Sequence, residues 1–486
     1  MAEREASGSL VASASRGRTL IAYSVMLGLA FAAYWLIRDK GEGLATVAPA
    51  SAGNAANPPA HSSLLANVLL ALAAITLLAR FMGGLFRRYL RQPPVIGEIL
   101  AGLMLGPSVL GAISPAAYEL LLPVGSASYL GLISKVGVVL FMFLVGLDLD
   151  PRLLRGNTHT TIAVSHASIF APFLLGATLA LWLYPRFATS NVSFTVFSLF
   201  LGVSLSVTAF PVLARILTDR RVQRTRLGVT ALTCAAVGDV SAWTLLAVIV
   251  GIAGSNLRGA AWTVPLALVY VLAMLFVVRP LITPFVTKQQ KLESPLSHTV
   301  LALVFVALLM SAFATEAIGI HALFGAFLLG AILPHEGRLA VQLRTRLEDI
   351  VVVLFLPTFF VFTGTRTQIG LVHGAQAWLA CGAILLVATV GKFGGTLVAA
   401  RLAGMSWRHS SALGILMNTR GLMELIVLNL GLDLGVITPA VFTMLVIMAL
   451  VTTFATTPIL DLILGKRGFA DEPAQPSVTG RATVER

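Results

Sequence analysis

Thirteen apolar runs, each about long enough to cross a bilayer as a helix, follow one another between Leu64 and Leu464. Nothing else in the chain constrains its fold as strongly, because a transmembrane helix needs roughly 20 consecutive apolar residues. The runs begin near Leu64, Val95, Tyr129, Thr160, Val192, Leu227, Ala260, Thr299, Ile318, Ile350, Trp378, Ser411 and Thr438, and are numbered here as spans one to thirteen. They are continuous rather than alternating, which excludes an outer-membrane barrel. Over 486 residues the chain is 57% hydrophobic and 11% charged, against roughly 25% charged residues in soluble domains. These features specify an all-α polytopic membrane protein. The formal charge of +13 comes mostly from arginines at helix ends, a mark of membrane topology that gives no support for nucleic-acid binding. Cys234 and Cys381 both lie inside apolar runs, so no disulfide framework, metal-ligand spacing or cofactor motif is read from them.

Outside the thirteen spans, residues 1–18 are Ser-, Ala- and Arg-rich and are expected to be mobile. Thr19–Ile37 is long for a signal peptide and lacks a clean cleavage site, so it is read as a retained extra helix, followed by a loop over 38–62. The transmembrane domain is expected over 63–465 and a short polar tail over 466–486. Arginine and lysine mark every second loop: Arg87, Arg88 and Arg91, then Arg152 and Arg155, then Arg215, Arg220, Arg221, Arg224 and Arg226. The series continues through Lys288 and Lys291, Arg338, Arg344 and Arg346, Arg401 and Arg408, and Lys466 and Arg467. The alternate loops hold isolated cations such as Arg186, Arg258 and Arg366. The bias predicts a cytoplasmic Arg-rich face, with both termini on that side.

The sequence also repeats. IGEILAGLMLGP (Ile96 to Pro107) in span two resembles IHALFGAFLLGA (Ile320 to Ala331) in span nine, and VVLF at Val138 to Phe141 in span three recurs at Val352 to Phe355 in span ten. Both matches are offset by seven spans, and an odd offset inverts the second copy in the membrane, as in inverted-repeat secondary transporters. The first repeat would run over about 63–254, the connector over about 260–286 and the second repeat over about 297–465.

Within this frame a few polar residues stand where polar residues are costly. Asp239 is the sole charge in the run Leu227 to Gly254 and lies about 18 Å along the helix from Leu227, near the bilayer midplane. Such a carboxylate either handles ions or protons, or is a buried structural group paired with a lysine. Span five contains Pro211 in SVTAFPVLARIL, and a proline removes a backbone hydrogen bond and interrupts the helix. Ser206 and Thr208, just before Phe210 and Pro211, could offer oxygens to a dehydrated cation at such a break; a simple kink is the alternative. Span twelve, the repeat mate of span five, carries Asn418, Thr419, Arg420, Gly421 and Glu424 in NTRGLMEL. This cluster predicts a second interrupted helix crossing the first, with Arg420 and Glu424 able to pair at i, i+4 and to neutralise the opposed helix ends. Lys392 in span eleven, flanked by Gly391, Gly394 and Gly395, is the expected partner of Asp239, either as a coupling group or as a permanent strut. Glu98 and His321 are read as interfacial or packing groups, and Asp148 and Asp150 as groups that anchor the cytoplasmic end of span three or line an entry funnel.

The motifs RQPPVIGEILAGLMLGPSVLG, LFMFLVGLDLD, SVTAFPVLARIL, TCAAVGDVSAW, IHALFGAFLLGAILP and NTRGLMELIVLNLG together resemble the monovalent cation:proton antiporters of the second antiporter family. That family includes the bacterial Kef-type potassium systems and the plant CHX exchangers, and the span-twelve motif is most similar to the CHX branch. The resemblance covers about Leu64 to Leu464. It implies an inverted-repeat sodium/proton-antiporter fold of 13 core helices, with a dimerisation domain, a mobile core domain and a homodimer in the cell membrane. It further implies that Asp239 binds cation and proton in turn, that Thr208 lies at the break of span five, and that Lys392 is the lysine of the core domain. The residue before the key aspartate is Asp, Asn or Gln in relatives and Gly238 here, which predicts one-for-one, electroneutral exchange. Kef-type systems append a nucleotide-binding domain, and with roughly 20 residues after Gly465 no such domain, and no regulation by its ligand in cis, is expected here. The expected function is exchange of K⁺, or alternatively Na⁺, for H⁺. A channel-like K⁺ pathway, a lipid-modifying enzyme and the same fold carrying another solute are the competing readings; the first lacks a filter sequence and the second lacks polar catalytic clusters.

Overall fold

A computed structural model describes residues 24–26, 28–40, 61–90, 92–148, 159–220, 222, 225–253, 257–284, 297–334 and 338–465. Every regular element among them is helical. Residues 28–40 form α1. Spans one to three are α2 (His61–Leu85), α3 (Pro94–Leu105) and, after the short α4 (Leu110–Ile113) and α5 (Pro115–Leu121), α6 (Val124–Asp148). Span four is α7 (His159–Phe187), span five is α8 (Phe194–Ser206) with α9 (Phe210–Asp219), and span six is α10 (Arg226–Ala253). The connector is α11 (Leu257–Ala273). The second half comprises α12 (His298–Ile318), α13 (Ala322–Ile332), α14 (Arg338–Ile350), α15 (Leu356–Arg366), α16 (Gly374–Thr389) and α17 (Gly395–Leu402). It ends with α18 (Trp407–Met417), α19 (Leu422–Asp433) and α20 (Pro439–Leu464). Among the described residues, eleven helices are long and apolar enough to cross a membrane; α18 and α19 make a twelfth span bent by 43°, and α13 is the short apolar helix of span nine. Each of the thirteen runs therefore has its helix. Side chains at the starts of several complete the orphan N–H groups: Ser193, Ser297, Ser406 and Thr438 each accept a backbone hydrogen bond from the first turn they precede.

The helices sort into two bundles. In one, α2, α3 and α6 pack with α12, α13, α14 and α15; in the other, α7 to α10 pack with α16 to α20, and α11 bridges α10 and α12. Each bundle thus takes three spans from each half of the chain, again at an offset of seven. Close glycine contacts show the internal symmetry. A methyl group on Gly102 (span two) would run into the Phe360 carbonyl of span ten, and one on Gly146 (span three) would run into the Phe327 carbonyl of span nine. Spans two and nine are repeat mates, as are three and ten, so these two contacts are equivalents under a pseudo-two-fold axis.

Ends that the Arg-rich loops place on one face do lie together. Arg220 after span five pairs with Asp461 of span thirteen at 2.6 Å, Arg344 pairs with Asp148 at the end of span three, and Arg408 donates to the carbonyls of Ile463 and Leu464. On the opposite face, Ser108 after span two donates to the Thr367 carbonyl after span ten at 3.0 Å. The extra helix reaches residue 40 rather than ending at Ile37. It lies on the second bundle, where the Tyr34 hydroxyl donates to the Thr195 carbonyl at 3.3 Å and shares a hydrogen bond with Ser198 Oγ at 3.1 Å. The N-terminal segment 1–18, residues 19–23, the tail 466–486, and Arg91, Asp150, Arg152, Arg155, Arg221, Arg224, Lys288 and Lys291 lie outside the described residues.

Candidate functional site

Span five stops rather than kinks. Helix α8 ends at Ser206, Val207 to Ala209 are extended, and α9 begins at Phe210 with Pro211 in its first turn. A first-turn proline costs little, because its missing N–H has no intrahelical acceptor there. The interruption lies upstream of the proline because Pro211 has no N–H to donate to the Val207 carbonyl four residues earlier and its ring would clash with that carbonyl. Span twelve stops in the same way between α18 and α19, over Asn418 to Gly421.

The two gaps cross and complete one another. The Ala209 N–H donates to the Thr419 carbonyl at 3.0 Å, and the Thr208 hydroxyl donates to the Met417 carbonyl at 3.0 Å. Gly421 permits this approach, since a Cβ there would lie 2.9 Å from Val212 Cγ2. Arg420 turns from its own gap onto the end of α8, donating to the carbonyls of Ser204 at 2.7 Å and Leu205 at 2.5 Å. These are carbonyls left without intrahelical partners and carrying the negative end of the helix dipole. The same guanidinium donates to Glu424 Oε2 at 2.9 Å, and Glu424 sits in the first turn of α19, at a positive helix end. Thr453 of α20 fixes the backbone of Arg420: its hydroxyl accepts from the Arg420 N–H at 2.9 Å and donates to the Arg420 carbonyl at 2.8 Å. Ser206 donates to Gly202 at 2.7 Å and Ile169 at 3.0 Å, joining α8 to α7. The hydroxyl protons of Ser206 and Thr208 are thus engaged, while their oxygens keep lone pairs that can accept.

Asp239 is buried in the middle of α10, and its Oδ1 has no hydrogen-bond partner. Lys392 is fully buried in a π-type turn, Val390–Gly394, between α16 and α17. Such turns add a residue and re-aim the side chains around them. Gly391 and Gly395 press this turn against span four: a methyl on Gly391 would lie 2.6 Å from Pro172 Cα, and one on Gly395 would lie 2.5 Å from Ala171 Cβ. The expected Asp239–Lys392 ion pair is not closed. Lys392 Nζ has no hydrogen-bond partner, and its turn packs against α18 at the crossing. Asn418 Oδ1, Ser204 Oγ and Glu424 Oε1 are also buried without partners. These oxygens belong to the helices and gaps of the crossing, against which α10, the helix of Asp239, packs; unpartnered buried oxygens are the groups that can receive a small dehydrated cation or a proton. Among the described residues no group of three His, Cys, Asp or Glu side chains could hold a metal ion.

Ser204 and Thr453 escaped the sequence reading. Ser204 stands two residues before Ser206 in the same polar stretch, whereas Thr453 lies in an apolar run with nothing to single it out. Glu98 is buried on α3 beside Gly83, and His321 begins α13 with a positive φ of 75°, its ring accepting from the Leu323 N–H at 3.5 Å.

The model of the family described as sodium/hydrogen exchanger, transmembrane, matches residues 60–464. The chain is 43% identical over 399 residues to the Na(+)/H(+) antiporter NhaS4 of Synechocystis, a match covering 82% of this chain and 96% of that protein. It is 40% identical over 406 residues to Cation/H(+) antiporter 17 of Arabidopsis thaliana, covering 83% of this chain and 49% of the relative. With K(+)/H(+) antiporter 1 of Saccharomyces cerevisiae it shares 32% identity over 383 residues, covering 77% and 44% of the two chains. The chain thus spans about half the length of these plant and yeast relatives. Among solved structures, the sodium proton antiporter MjNhaP1 from Methanocaldococcus jannaschii shares the fold, with a TM-score of 0.57 at 16% identity over 82% of this chain and 98% of that one.

Proposed function

Because the chain belongs to the transmembrane sodium/hydrogen exchanger family, we propose that it exchanges a monovalent cation for H⁺ by alternating access, with both competing for Asp239. The observation that carries this reading is a lone carboxylate, buried and with an unpartnered oxygen, on a helix that packs against elements flanking both crossed breaks. Deprotonated Asp239 would hold the cation together with oxygens from the gaps, including Thr208 and Ser206; protonation would cancel the charge and release it. Bare Asp239 is the costly form to carry through an apolar barrier, whereas the cation-bound and protonated forms are neutral. That difference forbids leak and enforces coupling. Lys392, whose Nζ has no hydrogen-bond partner in this conformation, is the candidate coupling group of the core. K⁺ is the favoured cation and Na⁺ the alternative; relatives are named for each.

One-for-one exchange is supported by Gly238, which provides no second carboxylate, and a Cβ built there meets nothing within 4 Å. The Arg-rich face is assigned to the cytoplasm, and the protein to the cell membrane as a homodimer. The test is proton flux in proteoliposomes carrying an internal pH dye, with K⁺ or Na⁺ added outside, for wild type and Asp239→Asn. Cation-driven pH change in wild type alone supports the reading, and an unchanged rate without a membrane-potential shunt supports electroneutrality. Exchange retained by Asp239→Asn removes Asp239 from the site.

A further inference from the structure

On the Arg-poor face the two bundles meet through a polar network. Asp433 closes α19, in the bundle that contains the crossing. Its Oδ2 receives Lys135 Nζ of α6 at 2.9 Å and its Oδ1 receives the Arg366 guanidinium of α15 at 2.6 Å. Both cations belong to the other bundle. One turn earlier on α19, Asn429 Oδ1 accepts from Arg366 at 3.0 Å, while Asn429 Nδ2 donates to the Thr363 hydroxyl of α15 at 2.8 Å. Just past α15, the Gln368 N–H donates to the Thr443 hydroxyl of α20 at 3.2 Å. Every one of these contacts bridges the bundles. Beside them is a cavity of about 360 Å³, walled by Ile426 and Leu430 of α19 on one side and Val138 and Phe359 on the other, with Lys135 and Asp433 on its lining.

The Arg-rich face joins the bundles differently. There Gln92 Nε2 donates to the Phe454 carbonyl at 3.1 Å, and Val95, Ile96 and Ile99 of α3 close over Arg420 and Gly421. One closure is apolar and sits directly on the crossing; the other is ionic and sits a cavity's depth away. Helix α19 joins the two regions, with Glu424 near its start and Asp433 at its end, about 13 Å apart along the axis.

Resting on the exchange reading, we propose that Lys135, Asp433 and Arg366 form a latch that closes the route from the Arg-poor face to Asp239. The latch opens when α19 draws away from α6 and α15. A single carboxylate shared by two cations suits this task. Ion pairs with water access are individually weak and break on the timescale of a domain movement, yet losing both at once marks a discrete open state. The cavity beside the latch is the space through which the ion passes once α19 has moved.

The experiment uses a Cys234→Ala, Cys381→Ala background carrying Lys135→Cys and Asp433→Cys, reconstituted in proteoliposomes. A short bis-methanethiosulfonate reagent should bring exchange down to the Asp239→Asn level, and reductant should restore it. Exchange at the untreated rate by cross-linked protein overturns the latch. A second measurement needs no paired cysteines: Ile426→Cys, on the cavity wall, is labelled by an impermeant maleimide from the Arg-poor side, with and without Asp433→Asn. Asp433→Asn should speed labelling about tenfold by shifting the population toward the open state; an unchanged rate overturns the proposal. Asp239→Asn, run alongside, separates the two ideas, because exchange in that variant defeats the site assignment whatever the latch does.

Discussion

The protein carries two charge clusters built to opposite specifications. At the helix crossing, Arg420, Glu424 and Lys392 are wholly buried and Asp239 is 2% exposed, and the closed Arg420–Glu424 pair lies within one bundle. On the Arg-poor face, the side chains of Lys135, Asp433 and Arg366 are 56%, 27% and 21% exposed, and their pairs run between bundles. Burial makes the first cluster expensive to disturb, since removing one partner strands the other charge away from water. Water access makes the second cheap to break and remake. A transporter needs both: a rigid polar centre that holds its geometry through the cycle, and a boundary that yields.

Substitutions can break or sharpen this contrast. The largest effect is expected for Asp239→Asn, which should reduce exchange to the level of empty liposomes while thermal unfolding of the purified protein is unchanged. Next is Arg420→Ala, which exposes the carbonyls of Ser204 and Leu205 to no donor and leaves Glu424 unpaired; a loss of about 3–5 kcal/mol is expected, read as a lowered unfolding midpoint. The double variant Arg420→Leu, Glu424→Leu should be less destabilised than Arg420→Ala alone. If Arg420→Ala unfolds no earlier than Asp433→Asn, the two clusters are not the opposites described here.

Gly146→Ala probes packing without charge. Its methyl would strike the Phe327 carbonyl, and about 1–3 kcal/mol of destabilisation should follow, again visible in thermal unfolding. The pH dependence tests competition at the site: as pH falls below the range in which Asp239 is ionised, the cation concentration for half-maximal exchange should rise by up to about tenfold per pH unit. The rate at saturating cation should stay constant if cation and proton share one carboxylate; a falling rate with constant half-saturation means separate sites. The smallest stability effects belong to Asp433→Asn, within about 1 kcal/mol for an ion pair reached by water, and to Gly238→Ala. The latter has open space around its new methyl and should change stability by no more than about 1 kcal/mol, in the stabilising direction for a helix interior.

Much of this was legible without coordinates. Hydropathy alone located all thirteen spans, a lone charge in an apolar run singled out Asp239 and Lys392, and the polar cluster of span twelve singled out Arg420 and Glu424. The lone-charge criterion applies equally to Lys135 in span three, whose partners Asp433 and Arg366 sit at the ends of other spans. Pro211 pointed to the right span but lies just beyond the gap it helps create. Equal depth puts Asp239 and Lys392 at one level of the membrane, but depth along two helices says nothing about the distance between their axes.

The division follows from range. That a residue sits in an apolar run, or that a proline interrupts one, is a property of neighbours in the chain, and the bilayer turns it into helices and breaks wherever the chain folds. Which charges meet depends on how closely helices separated by hundreds of residues can approach. That distance is decided by Gly391 and Gly395 against span four, by Gly421 against Val212 and by the glycines joining spans two and ten, all of them contacts that exist only once the two halves of the chain have packed.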